Sequence, residues 1–160
     1  MAVVIPASLG VRNLLEDLLG REVTVSPADP PRAENLRTAV VAVYVDDGMR
    51  LSAVLVLDLA LAAFAGAALG LLPVGGAEDC VKEKSLSPML AENVSELCNV
   101  LTGLLNREGA PHLRLYQLHL PGDALPGDVA SHAVALGNRL DLEVAVARYG
   151  SGHLWLSLPG

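Results

Sequence analysis

Positive charge is scarce in this sequence. It holds 11 Lys and Arg against 18 Asp and Glu, giving a formal charge of −7, and its basic residues never form a run. Nucleic-acid binding draws on clustered Lys and Arg to displace counterions, so no nucleic-acid partner is expected. An acidic chain suits a partner with a positive face. Cysteine is equally sparse, with only Cys80 and Cys98. Cys98 falls on the apolar side of a helix, and Cys80 sits in a loop among Glu78, Asp79 and Lys82. Neither belongs to a disulfide framework, and reduced thiols in a cytoplasmic protein are the plain reading. The four histidines (His112, His119, His132 and His153) lack metal-ligand spacing, so no metal site is expected in this chain. Gly75-Gly76 lacks the Lys and Ser/Thr of a phosphate loop, and no segment resembles a nucleophile elbow. Met1 to Gly10 lacks the basic flank and long apolar core of a signal peptide.

Apolar residues are plentiful. They make up 52% of the chain against 18% charged, the balance of a folded protein, and the length of 160 residues suits one domain over 1–160. Leu51 to Val74 is apolar enough to suggest a membrane span. Asp58 interrupts it where a charge is costly in lipid but well placed as a helix N-cap. No Lys/Arg cluster flanks it. The segment is read as a buried strand followed by a buried helix, not inserted in a membrane.

Periodicity supplies the remaining elements. A helix is expected over Ser8–Leu19, stopped by Gly20, with Leu14, Leu15, Leu18 and Leu19 as its apolar face. Val23–Val25 is a short strand, and Arg37–Val45 alternates with Ala39, Val41, Val43 and Val45 on one face. Asp46-Asp47-Gly48 signals a hairpin returning as Leu51–Leu57, because Asp-Gly tolerates positive φ. A buried helix follows over Asp58–Leu69, then a loop over Pro73–Leu86. Later come a strand at Leu113–Leu120, a short helix at Asp128–Leu136, and a hairpin of Leu140–Arg148 and His153–Leu158 turning at Gly150-Ser151-Gly152. A leucine-rich helix, an Arg-Glu pair, a strand and a hairpin occur in both halves, a weak internal echo. This order suits an α/β (α+β) sandwich: a largely antiparallel sheet with helices packed on one face.

The helix from Pro88 to Asn106 is the most informative segment. Steps of four, three and four residues from Glu92 reach Glu96, Asn99 and Gly103, all within an arc of roughly 60°. Leu90, Val94, Leu97, Cys98, Leu101, Leu104 and Leu105 occupy the other side, so the polar stripe points outward. A solvated face is the ordinary account of such a stripe. Two residues argue for more. Asn competes with the backbone for hydrogen bonds and is a poor residue mid-helix. Gly103 costs about 1 kcal/mol relative to Ala, and leaves bare backbone for another surface to approach. The stripe reads as a docking face with a carboxylate and an amide at its centre.

Glu92-xxx-Glu96-xx-Asn99-xxx-Gly103 resembles the signature of the CheC/CheX/FliY family of chemotaxis phosphatases, which has an acidic or Ser residue, then Glu, Asn and usually Gly at these spacings. The family pattern adds a proline a little over twenty residues beyond the Asn, and Pro121 lies near that place. Glu stands at the leading position, where Asp or Ser is commoner. The first helix carries no second copy, since Glu16 is followed three residues later by Leu19. One copy resembles CheX, whereas CheC typically carries two.

The resemblance implies hydrolysis of the aspartyl phosphate on a phosphorylated CheY-like response regulator. It implies that Glu96 pairs with the regulator's active-site lysine and that Mg²⁺ belongs to the partner. A homodimer is implied by the same likeness. Within that chemistry Asn99 is expected to position water, because a neutral amide accepts a water proton without being repelled by the phosphoryl group. Glu92 extends the docking edge, and Gly103 gives clearance. The alternative is a non-catalytic docking module of the flagellar-switch type, a fold relative lacking the active pair. Retention of both Glu96 and Asn99 favours the enzyme.

Overall fold

The computed structural model describes residues 3–159. Six strands form one sheet in the order β1-β5-β6-β3-β2-β4, every neighbouring pair antiparallel. They are β1 (Val23–Pro27), β2 (Val40–Val45), β3 (Leu51–Leu57), β4 (Arg114–His119), β5 (Arg139–Val146) and β6 (Gly150–Ser157). The five helices are α1 (Ser8–Leu19), α2 (Leu59–Leu69), α3 (Val74–Glu83), α4 (Pro88–Leu101) and α5 (Gly127–Val134).

The main core lies between one sheet face and helices α1, α2 and α4. Val11 and Leu15 of α1, Leu61 and Ala65 of α2, and Val94 and Leu97 of α4 meet Val40, Ala42, Tyr44, Leu55 and Leu57 there. The expected one-sided sandwich is corrected on the second face. There α5 and a 3₁₀ turn at Ala33–Thr38 cover Val41, Val43, Val54, Val56 and Trp155 with Leu36, Val129 and Ala133. This explains why all six residues of β2 are buried, although its alternation suggested one inward face. The α/β class with its antiparallel sheet stands.

The Leu51–Val74 segment divides as read: β3, then α2 capped by Asp58, whose Oδ1 accepts from the Leu61 amide at 2.9 Å. Among the described residues no helix is long and apolar enough to cross a membrane. The stretch expected as a loop over Pro73–Leu86 instead holds α3. Gly75-Gly76 weakens its local propensity, but Ala77 and Cys80 pack against Ala63 and Ala67 of α2, and tertiary burial outweighs propensity.

The hairpin at Asp46 forms as expected, yet the residue with positive φ is Met49 (φ 63°) rather than Gly48. Asp46 fixes that loop by accepting the amides of Gly48 and Arg50 at 2.9 and 3.0 Å, and the Arg50 amide holds its carboxyl below the ordinary range. The last hairpin turns at Ala147, Arg148 and Tyr149, not at Gly150-Ser151-Gly152, since Val146 pairs with Gly150 and Val144 with Gly152. Those glycines lie inside β6, where α2 presses on the strand.

The internal echo has a counterpart in the sheet. Strand β1 pairs with the second hairpin and β4 with the first, while β3 and β6 join the hairpins at the centre. The two outer strands differ in protection. On β1 the Glu16 carboxylate accepts the Val23 amide at 3.0 Å and Arg12 Nε donates to the Val23 carbonyl at 3.2 Å, so α1 covers the start of that edge. The outer edge of β4 has no strand partner among the described residues.

Candidate functional site

Helix α4 begins at Ser87, whose hydroxyl accepts from the Leu90 amide at 3.3 Å, with Pro88 in the first turn. Its inner side, Leu90, Val94, Leu97, Cys98 and Leu101, is at most 4% exposed. Two hydrogen bonds fix it further. Asn93 Nδ2 donates to the Gly66 carbonyl of α2 at 3.0 Å, and the Tyr44 hydroxyl of β2 donates to the Cys98 carbonyl at 2.6 Å. A Cβ on Gly66 would stand 3.1 Å from Val94 Cγ2, so the two helices cross closely.

This anchoring turns Glu92, Glu96 and Asn99 outward, and all three are exposed. None makes a side-chain hydrogen bond or ion pair among the described residues. The contrast with Glu16 of α1 is informative, because that carboxylate is spent on the Val23 amide and Arg12. Met89, one turn before Glu92, is 58% exposed and adds an apolar group to the same side.

Gly103 is brought near the others but not onto the α-helix. The helix expected to reach Asn106 ends at Leu101 and tightens into a 3₁₀ turn at Thr102–Leu104. With ~120° per residue in place of ~100° over its two steps beyond Leu101, Gly103 moves about 40° further round the axis from Asn99 than a continuous helix would carry it. It is exposed, and a Cβ there would meet nothing within 4 Å. No packing inside the chain calls for glycine.

Sequence reasoning missed two supports. Asn106 clamps both backbone groups of Leu113, accepting its amide at 2.7 Å and donating to its carbonyl at 2.9 Å, which closes the loop between the 3₁₀ turn and β4. Its signal was a lone Asn where the apolar pattern stops. The second is His153, whose Nδ1 lies 2.8 Å from Asp58 Oδ2 and whose ring stacks on Trp155 at 5.2 Å. It ties β6 to the start of α2. Only the tertiary fold brings those residues together across 95 positions.

Cys98 lies beneath the site, fully buried, and burial pushes its thiol from 9.0 up to about 12. It is no nucleophile at neutral pH. The linkage has a definite sign. The unfolded thiol ionises near 9.0 while the folded one stays protonated to about 12, so stability falls as pH rises through that window. Below it the thiol contributes no pH dependence. Urea midpoints measured from pH 8 to 12 should therefore decline less steeply for Cys98→Ala than for the wild type, by up to about 1.4 kcal/mol per pH unit. Parallel curves would show that the folded thiol ionises normally.

No family model and no curated protein matches the chain at the level of sequence. Solved structures do match. The FliM protein of H. pylori in its complex with SpeE aligns over 95% of this chain and 81% of its own, with TM-score 0.65 and 8% identity. CheX of Borrelia burgdorferi, in a complex with CheY, BeF3 and Mg²⁺, aligns over 92% of both chains with TM-score 0.54 and 11% identity. A CheC-like chemotaxis protein from Shewanella oneidensis aligns over 94% of this chain and 92% of its own, with TM-score 0.51 and 15% identity. At such identities the likeness concerns the backbone. The chain has the fold of the CheC/CheX/FliY proteins, which it shares with FliM.

Proposed function

We propose that the protein hydrolyses the aspartyl phosphate of a CheY-like response regulator, using α4 as its working surface. One observation carries this reading: Glu96 and Asn99 stand side by side, exposed and without partners among the described residues, on a helix held by hydrogen bonds to α2 and β2. An acyl phosphate is already reactive, and acceleration requires mainly a water held in line and charge matched around the phosphoryl group. The Asn99 carbonyl accepts a proton of that water. Glu96, one turn away, pairs with the regulator's active-site lysine and sets the docking register. Glu92 extends the acidic edge, and the bare Gly103 backbone lets the regulator approach. Mg²⁺ is contributed by the regulator, and the charge of −7 favours approach of a basic face.

The deciding experiment follows the decay of a phosphorylated regulator from the same organism with and without this protein. Faster decay supports the enzyme, and no acceleration with any such regulator defeats it. Glu96→Ala should weaken regulator binding at least tenfold and lower turnover with it, because a docking charge pair is lost. Unchanged affinity in a titration would remove the lysine-pairing role.

A non-catalytic docking module is the second reading, favoured by the likeness to FliM. It predicts regulator binding without turnover. A homodimer belongs to the first reading, and the unpaired edge of β4 gives it a surface. Sedimentation as a monomer at working concentration would count against it. The reading places the protein in the cytoplasm, where its partner would be.

A further inference from the structure

The end of α4 has an unusual hydrogen-bond account. In a continuous helix the Cys98 carbonyl would accept from the Thr102 amide four residues on. Here that amide turns to the Asn99 carbonyl instead, the i→i+3 pattern that opens the 3₁₀ turn. The freed Cys98 carbonyl accepts the Tyr44 hydroxyl at 2.6 Å. Tyr44 is 0% exposed near the end of β2, so its ring is fixed by core packing.

A second observation concerns the same turn. Thr102 is 8% exposed and its Oγ1 has no hydrogen-bond partner. In helices a Thr hydroxyl often bonds back to the carbonyl four residues earlier, which here is Cys98. With Tyr44 on that carbonyl, the threonine hydroxyl is left unpaired. Buried polar groups are rarely left so. Tyr44 thus holds a carbonyl that the amide and the hydroxyl of Thr102 ordinarily approach, and neither approaches it here.

We infer that Tyr44 is a positioning residue for the proposed phosphatase site. By holding the Cys98 carbonyl, which belongs to the peptide leading into Asn99, it fixes the helix just before the 3₁₀ turn at Thr102–Leu104 and so sets how Asn99 faces the regulator. The inference rests on the proposed function. Glu96 lies two residues upstream of the held carbonyl while Asn99 directly follows it, so docking and chemistry should respond differently.

The test is Tyr44→Phe, which keeps the ring and removes the hydroxyl. Circular dichroism should show the fold retained. Single-turnover dephosphorylation over a range of protein concentrations should show the maximal rate reduced about tenfold or more, with half-saturation changed less than twofold, as a displaced water-positioning group predicts. Backbone amide resonances should move at residues 98–104 and stay in place across the distant β1 and α5. A maximal rate equal to wild type, or loss of rate together with affinity and global stability, would overturn the inference. If the wild-type protein accelerates no regulator, the proposed function fails separately, and the resonances decide. An unmoved Thr102 amide in Tyr44→Phe would then show that the hydroxyl does not set the turn.

Discussion

Asn99→Ala should abolish acceleration of regulator dephosphorylation while leaving regulator binding nearly intact. The side chain is exposed and has no partner among the described residues, so alanine disturbs no packing there. Alanine also favours the helix by roughly 0.5 kcal/mol over Asn, and the variant should melt slightly higher than the wild type. Higher stability with lost activity is the signature of a residue retained for function. The expected loss is about a hundredfold, the scale of losing orientation for one reacting group. Asn99→Asp should not rescue it, because a carboxylate so close to the phosphoryl oxygens adds repulsion. The measurement is decay of the phosphorylated regulator at saturating protein, with affinity titrated separately. Turnover near wild type in Asn99→Ala would end the water-positioning role. Loss of binding with activity would make Asn99 a docking residue.

The largest effect on stability is expected at Gly152. It lies in β6 opposite Val144, where the first turn of α2 crosses the strand. A Cβ there would collide with the Asp58 carboxylate, which caps α2 and holds His153, and would lie 2.5 Å from the Leu61 amide. Backbone cannot yield as a flexible side chain can. Gly152→Ala should therefore cost about 3 kcal/mol, combining overpacking with a damaged cap. Urea unfolding should show a lower midpoint at unchanged slope. A loss below about 1 kcal/mol would mean that α2 shifts aside freely. Asp58→Ala should lose only about 1 kcal/mol, since it removes the cap without the collision.

Gly152 also shows what periodicity could not convey. Glycines near a hairpin are ordinarily read as turn residues, and only the placement of α2 reveals that Gly150 and Gly152 are needed for close approach within the strand. The helix α3 was hidden for a related reason. Gly75-Gly76 argues against a helix locally, and the compensating burial of Ala77 and Cys80 comes from a segment earlier in the chain. Helix α4 was legible in its position and its two faces, because a 3.6-residue period is a local property. Its last turn was not, because the residue that holds the Cys98 carbonyl is 54 positions away.

What the sequence by itself determined is therefore what depends on short spacing. It located α4, assigned Glu92, Glu96 and Asn99 to its outer side, split Leu51–Val74 at Asp58, and carried the motif that suggests the chemistry. Side-chain period and local capping decide those matters within a few residues. The tertiary structure alone decided which outward groups stay unpaired, how α4 ends, and that α5 covers the second face of the sheet. Each of those depends on which distant group arrives first at a shared hydrogen bond or a buried surface. Glu16 and Glu96 read alike as helix-surface carboxylates, yet Glu16 is taken up by a neighbouring strand while Glu96 stays unpaired among the described residues.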